Sequence, residues 1–340
     1  MPAVISTGLN SAALLARQRH KEPLRQKPNR GSQAPIEVGL INNMPDPALE
    51  ATERQFSGLL NVAAANLGVR LTCYSLPGIS RAERGRLYVS GRYASIDQLW
   101  DSHLDALIIT GTEPRASDLR DEPFWAAFRE VIDWAECNAV STVLSCLAAH
   151  AAVLHIDGIE RHALADKCFG LFDHEIVTDH PVVAGLAPRL QIAHSRWNEV
   201  QHGALQSCGY QVLTSSADAG VDLFVKQRKA LFLFFQGHPE YEPGVLLKEY
   251  KRDIGRFLRE ERKNYPNMPK GYFDAATTKR LTRFRERALL QPNERLLAEF
   301  PTVSEINTPL LPQISPAVVI YRNWLSQIFR CKEERRRSHL

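Results

Sequence analysis

Between residues 36 and 155 the chain alternates unbroken apolar runs with longer stretches that carry a single apolar stripe. The runs include "IEVGLINNM", "LDALIITG" and "VSTVLSC", and "VRLTCYSL" alternates apolar and polar positions as a strand does. A continuous apolar run reads as a strand covered on both faces, the mark of a parallel sheet with helices on either side. Between the runs, Leu49, Phe56, Leu59, Leu60 and Val62 recur at helical spacing in "LEATERQFSGLLNVAAANL". Trp125, Phe128, Val131, Ile132 and Trp134 do the same in "FWAAFREVIDWAECN", and the alanine-rich "LAAHAAVLHID" follows the third run. This βαβ rhythm predicts an α/β fold, a mostly parallel sheet flanked by helices.

Further along, "YQVLTSS", "VDLFVKQ" and "KALFLFFQ" read as strands spaced for hairpin pairing at a sheet edge. "PGVLLKEYKRDIGRFLREERK" reads as a long helix with a basic outer face. After Tyr265 the proline density rises, with a helix expected at "TTKRLTRFRERALL", an irregular stretch, and a closing apolar segment "AVVIYRNWLSQIF". The expected organisation is a basic, poorly ordered tail over 1–35, a main α/β domain over 36–265, and an extension over 266–340 packing on that domain.

Composition narrows the class. A chain of 340 residues with 44% hydrophobic and 24% charged residues is ordinary for a soluble globular protein. It holds no unbroken apolar run long enough to span a bilayer. The net charge of +4 is small, and basic residues gather at the two ends: Arg17, Arg19, Lys21, Arg25, Lys27 and Arg30 against Glu22, then "CKEERRRSHL". Such ends read as solvated tails, so neither nucleic acid nor membrane is an expected partner. Six cysteines without a CxxC pair point to reduced thiols in a cytoplasmic protein, not to a disulfide frame or a metal site.

One cysteine has a special place. Cys146 sits where "STVLS" gives way to the helical "LAAHAA". A thiol on that turn has its sulfur exposed, with the positive end and free amides of the next helix beside it, which favours the nucleophilic thiolate. The amide of Leu147 would lie near an oxyanion formed at an attacked carbonyl, and Gly111, in the turn after "LIIT", offers a second donor. His238, after "LFLFFQG", supplies a general base, and Glu240 a carboxylate to hold its imidazole. Singly, each residue has a duller reading: a core cysteine, a structural histidine, a turn at "HPE". Three strand ends of one predicted sheet carrying complementary parts of an acyl-transfer apparatus is the stronger observation.

These residues fall in a recognisable series. "VGLINNMP", "ERQFSGLL", "LIITG", "AHSRW", "GHPEY" and "EYKRDI" resemble, in order and spacing, blocks of the homoserine O-acyltransferases, also called homoserine O-succinyltransferases or transsuccinylases. The likeness covers roughly residues 36–256, with an echo in "YRNWLSQIF". The resemblance implies a class I glutamine amidotransferase-like fold and ping-pong transfer of an acyl group from acyl-coenzyme A to the hydroxyl of homoserine, in methionine biosynthesis. It makes Cys146 the acylated nucleophile, His238 the base and Glu240 its partner. It assigns substrate binding to Lys167 in "ADKCFGLF", Ser195 in "AHSRW" and Arg252 in "EYKRDI", although Lys167 and Arg252 alone read as surface cations. No cofactor is implied beyond acyl-coenzyme A as co-substrate. The implied partners are homoserine and succinyl- or acetyl-coenzyme A, with a homodimer as the open oligomeric option.

The position that governs acyl choice falls on Arg115, where the family tends to carry a small residue for succinyl and an acid for acetyl. A guanidinium binds a carboxylate as a fork, so arginine favours succinyl over acetyl; Glu113 and Asp118 stand close enough in sequence to neutralise it instead. Asp46 and Pro47 replace the family's paired lysines, and Leu147 its tryptophan, which leaves a different hydroxy amino acid open as acceptor. A glutaminase of the same fold would flank its cysteine with glycines, where this chain has Leu144 and Ala148. A binding protein that had lost catalysis would not be expected to keep Cys146, His238 and Glu240 together.

Overall fold

The computed structural model describes residues 4–5, 34–302, 306 and 315–338. They fall into two compact units, one of Met1–Ala152, Gln227–Leu233 and Tyr321–Leu340, the other of Val153–Lys226 and Phe234–Ile320. The basic tail expected over 1–35 lies outside the described residues, apart from Val4–Ile5 and residues 34–35. Val4–Ile5 is a short strand that pairs parallel with Val69–Tyr74.

In the first unit, the strands Val69–Tyr74, Ile36–Ile41, Ala106–Ile109 and Ser141–Ser145 lie side by side in that order, all parallel. Val38, Leu40, Ala106, Leu107, Ile108, Ile109 and Leu144 are fully inaccessible to solvent, as unbroken apolar runs should be when helices cover both faces. The helices Asp46–Ala64 and Trp125–Asn138 form where their apolar stripes predict. In the first, Leu49, Phe56 and Leu60 are buried, but Val62, counted as part of the stripe, is exposed, because Ala63 and Ala64 complete the buried face instead. The helix Glu83–Arg92 has no sequence counterpart above: it buries only Gly85, so no apolar stripe announces it. In the closing helix Pro316–Ser338, Trp324 is buried and donates its indole N–H to Ser141 Oγ at 2.9 Å.

The strand order reverses direction between Ile36–Ile41 and Ala106–Ile109, and in such sheets ligand sites form beyond the carboxyl ends at that point. Buried asparagines knit those ends together. Asn43 donates its backbone N–H to Thr110 Oγ1 at 2.9 Å and its amide to the Thr110 carbonyl at 3.2 Å. Asn42 donates to the Leu49 carbonyl at 3.0 Å and to Tyr93 Oη at 2.9 Å. The "NNM" block is therefore a structural clamp.

The second unit is built on a long antiparallel hairpin, His162–Ile176 against Arg189–Glu199, with Phe169 opposite Ser195 and Gly170 opposite His194. Thr214–Ser216 and Gly220–Val221 extend the sheet. Leu223–Gln227 pairs antiparallel with Gln211–Val212, the edge hairpin that the spacing predicts. The helices Val245–Leu258 and Ala275–Leu290 bury Leu246, Tyr250, Ile254, Leu281 and Phe284 in one apolar cluster with Phe300. No helix among the described residues is long and apolar enough to cross a membrane.

Candidate active site

Cys146 follows the strand Ser141–Ser145, and its φ is +54°. Side chains rarely take that left-handed conformation, because Cβ crowds the carbonyl. The surroundings enforce it: Ser145 and Leu144 are buried in the sheet, and the helix Leu147–Asp157 begins at once, with Ala149 N donating to the Cys146 carbonyl at 2.9 Å. A strained residue held at a strand end points to function. The flanks Leu144 and Ala148 are both buried, so the turn is made by Cys146's own backbone and not by neighbouring glycines. Gly111 comes so close that a Cβ on it would stand 2.9 Å from the Leu147 nitrogen. The two candidate oxyanion residues, Gly111 and Leu147, are thus brought together, and no side chain fits between them.

Other cysteines lie in poorer settings. Burial, with Glu53 nearby, pushes the Cys73 thiol up to about 12, and burial also raises Cys168. Neither environment favours a thiolate.

In the second unit His238 Nδ1 and Glu240 Oε1 are 2.8 Å apart, and both residues are buried. Tyr241 stacks on the imidazole with ring centroids 4.2 Å apart and 18° between planes. The His238 N–H donates to the Ala193 carbonyl at 2.8 Å.

The three residues assigned to substrate binding meet in one polar cluster. Ser195 donates to Glu249 Oε2 at 2.5 Å, and Lys167 Nζ lies 3.4 Å from the same oxygen and 3.3 Å from Asp253 Oδ2. Arg252 reaches Asp253 at 2.9 Å and Glu249 at 3.7 Å. Glu249, Arg252 and Asp253 project together because three and four residues bring a helix back to one face. Tyr241 donates its hydroxyl to Glu249 Oε1 and so ties this cluster to the histidine. Burial alone would raise the Glu249 carboxyl, but Lys167, the hydrogen bonds from Ser195 and Tyr241, and His238 hold it below the ordinary carboxylate range. Asp253 is likewise depressed: Lys167 and Arg252 outweigh its burial. Lys167 is no surface cation, with its side chain 11% exposed, whereas that of Arg252 is 49% exposed. Sequence reasoning missed Tyr241, Glu249 and Asp253. All three lie inside the family blocks "GHPEY" and "EYKRDI", and the spacing from Glu249 to Arg252 and Asp253 is the signal that could find the two carboxylates.

Arg115 is exposed, on a loop fixed by Glu122, whose Oε1 accepts the N–H groups of Arg115 and Ala116 at 2.5 and 2.8 Å. Asp118 pairs with Arg120 at 2.8 Å. Arg115 lines a cavity of about 320 Å³ with Pro45, Ser80, Glu122 and Thr112, the residue after Gly111.

A mostly parallel sheet, helices on its faces and a strained cysteine turn at a strand end define an α/β protein. Among solved structures, a glutamine amidotransferase of Thermotoga maritima aligns with a TM-score of 0.47 at 11% identity, over 87% of this chain and 99% of that one. Residues 2–333 match the family model described as homoserine O-succinyltransferase. The homoserine O-succinyltransferase of Rhodopseudomonas palustris is 46% identical over 290 residues, 85% of this chain and 87% of that protein. That of Bradyrhizobium japonicum is 44% identical over 303 residues, 88% and 93% of the two chains. The chain belongs to the homoserine O-succinyltransferase family.

Proposed function

We propose that this protein transfers a succinyl group from succinyl-coenzyme A to the hydroxyl of L-homoserine, in methionine biosynthesis, by way of a thioester on Cys146. The left-handed backbone of Cys146 at the strand end, with Gly111 against Leu147, is the observation that carries this reading. In the first half-reaction the Cys146 thiolate attacks the thioester carbonyl. The Leu147 and Gly111 amides stabilise the oxyanion, the bond to coenzyme A breaks, and the departing thiolate takes up a proton from solvent, matched by the one that His238 returns to solvent at the end of the cycle. In the second, His238 takes the proton of the homoserine hydroxyl as its oxygen attacks the succinyl-cysteine, and the Cys146 thiolate is released. No cofactor beyond the acyl-coenzyme A co-substrate enters this scheme.

The polar cluster suits the acceptor. A free amino acid brings both an ammonium and a carboxylate, and Lys167, Arg252, Glu249 and Asp253 offer both signs within one patch. Arg252 is the carboxylate's partner, since a guanidinium presents matched donors. Arg252→Ala raises the Michaelis constant for homoserine about thirtyfold, the lower end of the ~2–5 kcal/mol lost from charged pairs, because the residue is half-exposed. Acylation of Cys146 in the absence of acceptor proceeds at the wild-type rate. Equal damage to both half-reactions would mean that Arg252 is structural or touches the coenzyme.

The reading as a whole is tested by supplying succinyl- or acetyl-coenzyme A with a panel of hydroxy amino acids, and glutamine alone. Succinyl transfer to homoserine is the expected reaction. Arg115 reads the distal carboxylate of the succinyl group, so Arg115→Ala erases the donor preference. A wild type that prefers acetyl, or a preference unmoved by the substitution, removes Arg115 from this role. Another acceptor would redirect the assignment to a side pathway, and glutamine hydrolysis would make the protein a glutaminase.

A further inference from the structure

Along the strand Arg189–Glu199 successive side chains point to opposite faces. Ser195 faces the polar cluster, while its neighbours His194 and Arg196 face the other way and are buried. Arg196 Nε donates to His194 Nδ1 at 3.3 Å. With Nδ1 an acceptor, a neutral His194 carries its hydrogen on Nε2 and donates it to His174 Nε2 at 3.2 Å. His174 in turn donates from Nδ1 to the Phe172 carbonyl at 3.1 Å. Asp222 Oδ1 lies 3.8 Å from His194 Nε2, and Asp222 is wholly buried. None of these groups has a part in the chemistry above.

What Asp222 touches gives it one. Its Oδ1 accepts the N–H of Gly237 at 2.7 Å, one residue before His238. The neighbouring backbone is pinned as well: Gln236 N donates to the Asp222 carbonyl at 3.2 Å, and His238 N to the Ala193 carbonyl at 2.8 Å. The Gln236 side chain accepts from Val200 N and donates to Val221 O, each at 2.7 Å. Of the three amides leading into the imidazole, that of Gly237 is held by a side chain, and those of Gln236 and His238 donate to backbone carbonyls. There is no slack, since a Cβ on Gly237 would stand 2.8 Å from both Asp222 Oδ1 and the Ala193 carbonyl.

We infer that Asp222 is a positioning residue for the base of the reaction, its buried carboxyl setting the Gly237 backbone and through it the direction of the His238 ring. The inference rests on His238 being that base. Misplacing a reacting group by about an ångström costs on the order of a hundredfold in rate. Asp222→Ala therefore lowers kcat at least about tenfold, with the Michaelis constants for homoserine and the acyl donor within about twofold of wild type. Asp222→Asn, which keeps an oxygen at the same place for Gly237, restores kcat to within about threefold. A merely structural role would move kcat and KM together and would not be rescued by asparagine. Full kcat in Asp222→Ala, or equal loss in both variants, overturns the inference. If the alanine variant does not fold, hydrogen exchange decides in the wild-type protein: the Gly237 amide is expected to be strongly protected, and exchange at loop rates rejects the inference. His238→Asn run beside these separates the two ideas. Full turnover there refutes the base assignment, whereas an inactive His238→Asn with a fully active Asp222→Ala refutes only the role of Asp222.

Discussion

Replacing Cys146 by alanine lowers turnover by on the order of 10⁴-fold or more, because a route through a covalent acyl-enzyme has no substitute for its nucleophile. Mixing the wild-type protein with succinyl-coenzyme A without acceptor leaves one succinyl group on the peptide containing "LSCLAAH", read by mass spectrometry. An adduct on Cys168 instead would sink the assignment, and the surroundings of that thiol, where burial disfavours the thiolate, argue against it. The backbone supplies a second readout. At φ +54° a cysteine is strained and a glycine is not. Cys146→Gly is therefore as inactive as the alanine variant yet melts no lower than wild type. Functional strain behaves this way: the residue is kept against the preference of its own backbone. A large loss of stability in Cys146→Gly would mean that the sulfur is a packing group.

The first unit was readable from sequence because its physics leaves a strong trace. Strands such as Ala106–Ile109 and Ser141–Ser145 are buried on both faces, so they are apolar without a break, and a stripe at helical spacing marks Trp125–Asn138. The elbow was readable for the same reason, being where one pattern changes into the other. The long hairpin of the second unit was not assigned as strands. Around Lys167, Ser195, His194 and Arg196 both of its faces carry polar groups, one turned to the cluster at Glu249 and the other to the buried histidines. These polar residues break off the period-two apolar signal that Leu190 and Ile192 begin. Glu249, Tyr241 and Asp222 escaped notice on similar grounds, since a carboxylate or a tyrosine in a sequence is most often a surface or core residue. Only the register that sets Phe169 opposite Ser195, and the turn of the helix Val245–Leu258, bring them to the site residues. The family blocks contain Tyr241 and Glu249; which residue in each block touches another is a matter of side-chain direction.

His238→Asn lowers turnover by about 10³- to 10⁴-fold, the upper range for loss of a positioned general base. Asparagine fills much the same space and leaves the backbone bond to Ala193 in place, so the variant folds as wild type does. The geometry further decides which imidazole nitrogen works. Glu240 lies 2.8 Å from Nδ1, and an ionised carboxylate only accepts, so the hydrogen sits on Nδ1 and Nε2 is left as the basic atom. Glu240→Ala removes that constraint. The tautomers then compete, the imidazolium formed during turnover loses its counter-charge, and kcat falls at least about a hundredfold. Release of free coenzyme A thiol from acyl-coenzyme A and homoserine measures both. If Glu240→Ala turns over as fast as wild type, the carboxylate has no part in the reaction, and the mechanism reduces to a Cys146–His238 pair.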